Sequence, residues 1–371
     1  MYLEWYGEIL ADVDGYGIHT RRLLKVLLEG GLDIKLVQYG FSSPRKTSDP
    51  YWTAKLAESK EKKDAPVRIC FSIPPLIQFN PNAKNIIYVN WETSRLPDKW
   101  VPMISQAPGL LATSSAVVQA IQGSGISCGT EAVVYCPIDC SVWNREGPSI
   151  TLSGVSAEDV VFLSVGSWQA RKSILELVTA FAVAMHGVED AVLVVKTWGG
   201  DNSAETRQTI HNHIGNHLNN LPGVKRPRVN VITDLLSEEQ VVKLYRRANV
   251  YTTATRGEGL NLGLLQAMAC GCLCVATDFM GHKDYILPDN SLPVKYSLTP
   301  VVGTGIPDYS CNQLWANIDM LDYVNNLRDS YFIVKDRKYL SLTEKAVQLI
   351  RSKFNPESVC KSFTEAVKKY F

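Results

Sequence analysis

The chain has 371 residues, 46% of them hydrophobic and 20% charged, with a formal net charge of +1. That length exceeds what one hydrophobic core normally serves, so two domains are expected of an otherwise ordinary globular composition. The near-zero charge excludes a global basic field for nucleic acid or anionic membrane, and no apolar run reaches the roughly 18 residues of a membrane-spanning helix.

Met1 to Glu8 lacks the charged-then-apolar layout of a signal peptide and reads as a first strand. Asp12 to Gly17 is a glycine turn. Ile18 to Glu29 is a helix with Leu23, Leu24, Leu27 and Leu28 on its apolar side, closed by Gly30-Gly31, and Ile34 to Tyr39 is the next strand. This βαβ order starts a doubly wound α/β sheet. His19 and Arg21 read as solvated residues of the helix's first turn. Residues 41–65 are a loop or exposed helix rich in charge. Val67 to Ile73 and Asn85 to Asn90 are apolar strands, the second running into Trp91-Glu92-Thr93-Ser94. Ligands collect at the C-terminal edge of such strands, so Glu92 is a candidate site residue. The alternative has Trp91 packed on the following helix and Glu92 paired with Arg95. Strand, helix and strand recur at 110–114, 115–123 and 132–136. Asp139 follows, organising a turn through its own backbone, and residues 145–155 are the linker.

The second half opens with a strand at 160–165, the turn Gly166 to Ser173, and a helix at 174–185. Arg171 and Lys172 stand at that helix's start, where cations oppose the dipole unless an anion is nearby. A strand at 191–196 precedes a polar helix within 201–221. Its His211, His213 and His217 have no carboxylate in register, so it reads as solvent-facing and metal-free. After a strand at 228–232, Ser237 with Glu239 and Gln240 caps a helix to Arg247. Then comes the stretch on which the rest converges: strand 249–253, the loop Gly257-Glu258-Gly259, a helix closed by Gly271, and strand 272–277. Leu260, Leu264, Ala267 and Met268 share one face of that helix, with Gln266 and Ala269 away from it. The loop amides and helix N-terminus favour an anion such as a diphosphate. Glu258 would be repelled there unless it faces something neutral and rich in hydroxyls, such as a sugar; otherwise it is a first-turn acid that suits the dipole. Residues 289–309 are irregular, and helices at 320–328, 343–354 and 357–371 end the chain.

Of nine cysteines, Cys270, Cys272 and Cys274 alternate through a helix end and a buried strand, where cysteine acts as a small hydrophobe. Neither a C-x-x-C pair nor a Cys/His cluster appears, so no zinc site is read and reduced thiols in the cytoplasm are expected.

The segments 161–172 and 253–281 resemble the retaining GT-B glycosyltransferases of the "group 1" type. The resemblance implies an α/β fold of two Rossmann-like domains facing across a cleft: 1–150 on the acceptor side and 151–355 on the donor side, with a last helix, about 356–371, packing back on the first. It implies that Glu258 contacts the donor sugar and that the loop of Gly257, Gly259, Leu260 and Asn261 contacts the phosphates. The family's second acid, which holds the ribose, falls on Gln266. Arg171 and Lys172 carry over as the diphosphate's basic pair. A further arginine usual after the glycine is replaced by Ser167, and Arg256 is the candidate to compensate. Gly15 and Gly17 would lie near donor phosphate or acceptor, and Glu92 would touch the donor sugar or acceptor. Trp315 to Asp319 resembles a tryptophan–acid element seen late in such enzymes. The implied activity is transfer from a nucleotide-sugar to a glycan, lipid-linked sugar, protein or nucleic acid base, with retention. No metal or other cofactor is implied, because basic residues and helix ends stabilise the leaving diphosphate. Ser167 and Gln266 also fit a binding protein on this scaffold that has lost turnover.

Overall fold

The computed structural model describes residues 1–11, 15–39, 47, 49–126 and 129–371. The first half runs β1 (Tyr2–Gly7), α1 (Gly15–Glu29), β2 (Asp33–Gln38), α2 (Pro50–Ser59), β3 (Val67–Phe71), β4 (Lys84–Val89), α3 (Val101–Ile104), β5 (Gly109–Ala112), α4 (Ser115–Gly123) and β6 (Thr130–Val133). The second half continues with β7 (Val160–Ser167), α5 (Ile174–Ala184), β8 (Ala191–Trp198), α6 (Ala204–Asn219), β9 (Arg228–Ile232), α7 (Glu238–Arg247), β10 (Val250–Thr252), α8 (Leu262–Ala269) and β11 (Leu273–Thr277). It ends with β12 (Leu292–Val294), β13 (Tyr296–Pro300), β14 (Leu314–Ile318), α9 (Met320–Lys335), α10 (Leu340–Lys353) and α11 (Pro356–Lys368).

Two six-stranded parallel sheets result, in the orders β2-β1-β3-β4-β5-β6 and β12-β11-β10-β7-β8-β9, with β13 and β14 as an antiparallel pair. Both sheets are covered on both faces, which is why their strands are nearly unbroken apolar runs: Val160 to Leu163 and Ala191 to Val195 are buried. The first core joins Leu3, Trp5, Leu23, Leu27 and Tyr88 to Val359, Phe363 and Val367 of α11, so the last helix lies on the first sheet. Leu264, Met268 and Ile350 fill one face of the second sheet, and Val178, Phe181 and Leu327 fill the other. The chain therefore passes between domains near residue 138 and again near 354, and these passages touch: Ile138 N donates to the Phe354 carbonyl at 2.8 Å.

In each sheet the strand order reverses direction at one place, between β1 and β3 and between β7 and β10. Crevices at the carboxyl ends of strands open at such points, and here the two face each other.

Several local expectations hold. Ser237 and Gln240 form the reciprocal cap of α7. Gly271 ends α8 at φ +67°, a backbone that glycine adopts without strain. Cys270, Cys272 and Cys274 are buried; Cys128 lies outside the described residues. Others are corrected. Helix α1 begins at Gly15, so Gly15 and Gly17 form its first turn instead of preceding it; Asp12 to Asp14 of the expected turn lie outside the described residues. His19 is buried between Phe71 and Tyr88 rather than solvated. Arg21 turns back to the Ile9 carbonyl at 2.9 Å. Helix α8 starts at Leu262, leaving Leu260 in the loop, and is buried from Leu264 to Ala269, Gln266 included; Arg22 of α1 covers Gln266. The stretch 289–309, expected to be irregular, contains β12 and β13.

Candidate active site

The site is built where β7 and β10 end. After β7 the chain makes a short turn, Ala170 to Lys172, and enters α5 through Ser173 at φ +48°. After β10 it runs through Thr253 to Gly259 into α8. Arg256 N donates to the Arg171 carbonyl at 2.8 Å and ties the two loops together. This brings Arg171, Lys172 and Glu258 into one buried cluster. Arg171 Nη1 lies 2.9 Å from Glu258 Oε2, and the Lys172 ammonium pairs with Oε1 of the same carboxylate. Thr255 Oγ1 donates to Glu258 Oε1 at 2.8 Å. From the first domain, just past β4, Glu92 Oε1 reaches Arg171 Nη2 at 3.3 Å.

Burial disfavours a charged carboxylate, but Arg171 and Lys172 more than reverse this at Glu258 and hold its acid well below the usual range. At Glu92 burial prevails and raises the carboxyl's pKa, with Arg171 opposing and Glu258 adding to it. His282 completes the wall behind Glu258. Its Nδ1 lies 2.8 Å from the Thr277 carbonyl and its Nε2 3.0 Å from Asn261 Nδ2. A carbonyl can only accept and an amide nitrogen only donate, so the ring is neutral with its proton on Nδ1. Burial lowers its pKa to about 4, against the pull of Glu258.

The two glycines have a defined steric role. A Cβ at Gly257 would overlap the Glu92 carbonyl oxygen, and one at Gly259 would overlap the Asn90 side chain. They let the donor loop approach the edge of the first sheet. The cleft is therefore shut over the cluster, and further contacts cross it. Ser115 N donates to Asp284 Oδ2 at 2.8 Å, and Tyr135 Oη to the same oxygen at 3.2 Å. Residues 301–313, which join β13 to β14, form a clasp onto the first domain. Asp308 Oδ1 accepts from Trp100 Nε1 and pairs with Lys99 Nζ, both at 2.9 Å. Tyr309 stacks on Trp91 with ring centroids 5.2 Å apart, and Thr93 Oγ1 donates to Gln313 Oε1 at 3.0 Å.

The remaining candidates fall elsewhere. Gln266 is separate from the cluster: it faces α1, where its Oε1 accepts from Arg22 Nη2 at 2.8 Å and Nη1 at 3.0 Å. The same guanidinium meets Glu238 at 3.0 Å and lies over the Trp143 ring. Leu260 is buried with its carbonyl bound by Tyr285, and Asn261 caps α8. Gly15 is exposed at the start of α1, and Gly17 lets that helix approach the Ala11 carbonyl. Arg256 points away from the cluster, to Glu176 at 3.1 Å, Ser173 Oγ at 3.0 Å and the Trp315 ring. Asp139 binds its own turn through Ser141 N at 2.9 Å. Trp91 packs on Tyr309 and Trp100, and Arg95 pairs with Asp98 rather than Glu92. No metal-binding group of His, Cys, Asp and Glu occurs among the described residues; His211 and His213 of α6 are exposed as expected, whereas His217 is half-buried, its Nε2 2.7 Å from Thr179 Oγ1. Sequence reasoning missed Arg22, His282, Asp284 and Tyr309. For His282 and Asp284 a signal existed, since they lie one and three residues beyond Gly281, where the glycine-rich stretch ends.

Comparison with known proteins places this geometry. Residues 159–296 match the family model "Glycosyl transferases group 1". No curated protein matches the chain. Among solved structures, a glycosyltransferase from Rickettsia africae is similar at TM-score 0.69 and 14% identity, over 100% of this chain and 98% of that one. Sucrose-phosphate synthase from Thermosynechococcus elongatus is similar at 0.68 and 14%, with the same coverage. Anabaena HepE, solved with UDP and glucose, is similar at 0.64 and 11%, over 100% of both chains. The chain thus has the GT-B fold of these glycosyltransferases, and its residues 159–296 match the group 1 glycosyl transferase family model.

Proposed function

We propose that the protein binds a nucleotide-sugar in the cleft and transfers its sugar to an acceptor with retention, using no metal. The observation that carries this reading is the buried Glu258 between Arg171 and Lys172 at the point where the second sheet's strand order reverses. Two cations beside the loop that enters α8 suit the leaving diphosphate. A carboxylate among them suits the sugar, whose ring gains positive charge as the bond to the leaving group breaks. When a donor enters, its phosphates take over the cations that Glu258 now holds, which frees the carboxylate oxygens for sugar hydroxyls. Glu92, supplied by the opposite domain, stands on the acceptor side of the same arginine.

Thermal-shift measurement with UDP-, GDP-, ADP- and dTDP-sugars tests the binding step. One nucleotide series should raise the melting temperature, and its diphosphate should do so without the sugar. A flat response to all four series sinks the reading. The contact between Gln266 and Arg22 favours a second one, a nucleotide-sugar binder with little turnover, because the ribose must displace it. Hydrolysis or transfer of the stabilising donor separates enzyme from binder.

A further inference from the structure

The segment that follows β4 is gripped from the other domain residue by residue. Tyr309 stacks on Trp91 with centroids 5.2 Å apart, and Gln313 Oε1 accepts from Thr93 Oγ1 at 3.0 Å. Ser94 N donates to the Leu314 carbonyl at 3.0 Å, and Leu314 N donates to Ser94 Oγ at 2.9 Å. The charged member of that segment is Glu92, and the Tyr309 hydroxyl lies against both its carboxylate and the Arg171 guanidinium. A guanidinium only donates and a carboxylate only accepts, so the hydroxyl takes a hydrogen bond from Arg171 and gives its own proton to one with Glu92. Burial and the charge of Glu92 push the phenol's pKa up, so it keeps the proton it donates. The tyrosine is also fixed from behind. Tyr309 N donates to the Ile306 carbonyl at 3.1 Å, and Gln313 Nε2 donates to the neighbouring Asp308 carbonyl at 2.8 Å. Burial raises the pKa of Glu92, Arg171 opposes the rise, Glu258 adds to it, and Lys172 and the Tyr309 hydrogen bond oppose it again. Once a donor's phosphates engage Arg171 and Lys172, the phenol is the facing group that still favours the ionised carboxylate.

We propose that Tyr309 is a positioning residue for transfer: its hydroxyl holds the Glu92 carboxylate toward the acceptor and keeps it charged, and it does so only while the clasp is closed. This rests on the nucleotide-sugar reading for the part Glu92 plays in transfer but not for the contact itself. It makes the clasp a contributor to the site as well as a tie between the domains.

Urea unfolding of the full chain at pH 7.5 and 4.5 tests the contact, as a cycle of wild type, Tyr309→Phe, Glu92→Gln and the double variant. Tyr309→Phe keeps the ring on Trp91 and removes the donated proton, so at pH 7.5 it should raise the unfolding constant by about tenfold, the loss of a hydrogen bond to a charged group. At pH 4.5 Glu92 is mostly protonated, and the effect should shrink to about threefold, the worth of a neutral partner. It should shrink likewise at pH 7.5 in the Glu92→Gln background. His19 and His282 titrate alike in all four proteins and cancel. The second readout is hydrolysis, across pH, of whichever UDP-, GDP-, ADP- or dTDP-sugar stabilises the protein. Tyr309→Phe should leave its KM within about threefold and move the acid limb of kcat to higher pH, which a residue that merely packs the clasp would not do. An equal cost of Tyr309→Phe at both pH values and in both backgrounds overturns the proposal, as does an unmoved limb or a donor that binds and is never hydrolysed. The two readings fail separately. Coupling of Tyr309 to Glu92 in a protein that binds no nucleotide-sugar keeps the contact and loses the donor. Donor hydrolysis without that coupling keeps the donor and loses Tyr309.

Discussion

Glu258 is held by three partners, so its removal should be felt in stability as well as chemistry. Glu258→Gln leaves Lys172 without its carboxylate and Arg171 with Glu92 alone. Breaking a buried pair in this way costs about 3–5 kcal/mol, well above the roughly 0.3–1 kcal/mol of a simple first-turn acid. Transfer per folded molecule should fall by roughly tenfold to a thousandfold if the charge faces the developing sugar cation. Urea unfolding and turnover on the same sample check both, and wild-type turnover per folded molecule would confine Glu258 to a structural role. His282 gives a separate, pH-dependent prediction. Its pKa is about 4 in the fold and about 6.5 in the unfolded chain. Between those values the unfolded state binds the extra proton, so stability falls as pH drops from about 6.5 to about 4, by at most about 3 kcal/mol. Urea unfolding from pH 7.5 to 4.5 should show a shallower decline for His282→Gln. The decline should persist in part, because burial also lowers His19, to about 3.

Helix α8 is entered through an asparagine that does two jobs. Asn261 sits at φ +67°, outside the usual region for a side-chain-bearing residue, and its Oδ1 accepts from Leu264 N at 3.2 Å. Asn261→Ala loses the cap and keeps the strained backbone, for about 2 kcal/mol together; Asn261→Gly loses the cap but relieves the strain, for less than about 1 kcal/mol. Melting both variants checks the order, and equal losses would remove the backbone argument. This entry also shows where sequence reading stopped. Apolar periodicity at Leu264, Ala267 and Met268 was enough to place α8, and the glycines around Glu258 were enough to mark its loop. The helix start at Leu262 was hidden, because an asparagine in left-handed backbone leaves no periodic trace. Burial of Gln266 was hidden for another reason: what covers it, Arg22, is remote in sequence and belongs to the other domain. The clasp was illegible likewise. Residues 301–313 carry the proline and glycines of a loop, and its contacts through Asp308, Tyr309 and Gln313 with the first domain are what show that the loop has a partner. The paired sheets, by contrast, were readable from strand and helix periods in each half, since both faces of each strand are buried.

At the scale of the whole molecule, the two bodies are joined by two adjacent passages of the chain, near residues 138 and 354, and by contacts around the cleft. Gly257→Ala tests how close that approach is. The added Cβ meets backbone, the Glu92 carbonyl, which cannot rotate aside, whereas at Gly259 it meets the Asn90 side chain, which can. Gly257→Ala should therefore loosen the domains, seen as a larger radius of gyration in X-ray scattering, while Gly259→Ala should leave it nearly unchanged. The clasp carries a consequence for binding kinetics. A donor can load only into the fraction of molecules that stand open, and its apparent dissociation constant is weakened by the reciprocal of that fraction. If the contacts of Asp308 with Trp100 and Lys99 hold the molecule shut by about 1–2 kcal/mol, they reduce the open population by roughly fivefold to thirtyfold. Asp308→Ala should then melt earlier and yet bind UDP more tightly and faster, since Asp308 lies outside the Glu258 cluster and stopped-flow association reports the gate directly. An Asp308→Ala protein with unchanged or slower UDP association would mean that nucleotide loads without passing the clasp. The same bonds that stabilise the empty protein act, on this account, as a competitor of its substrate.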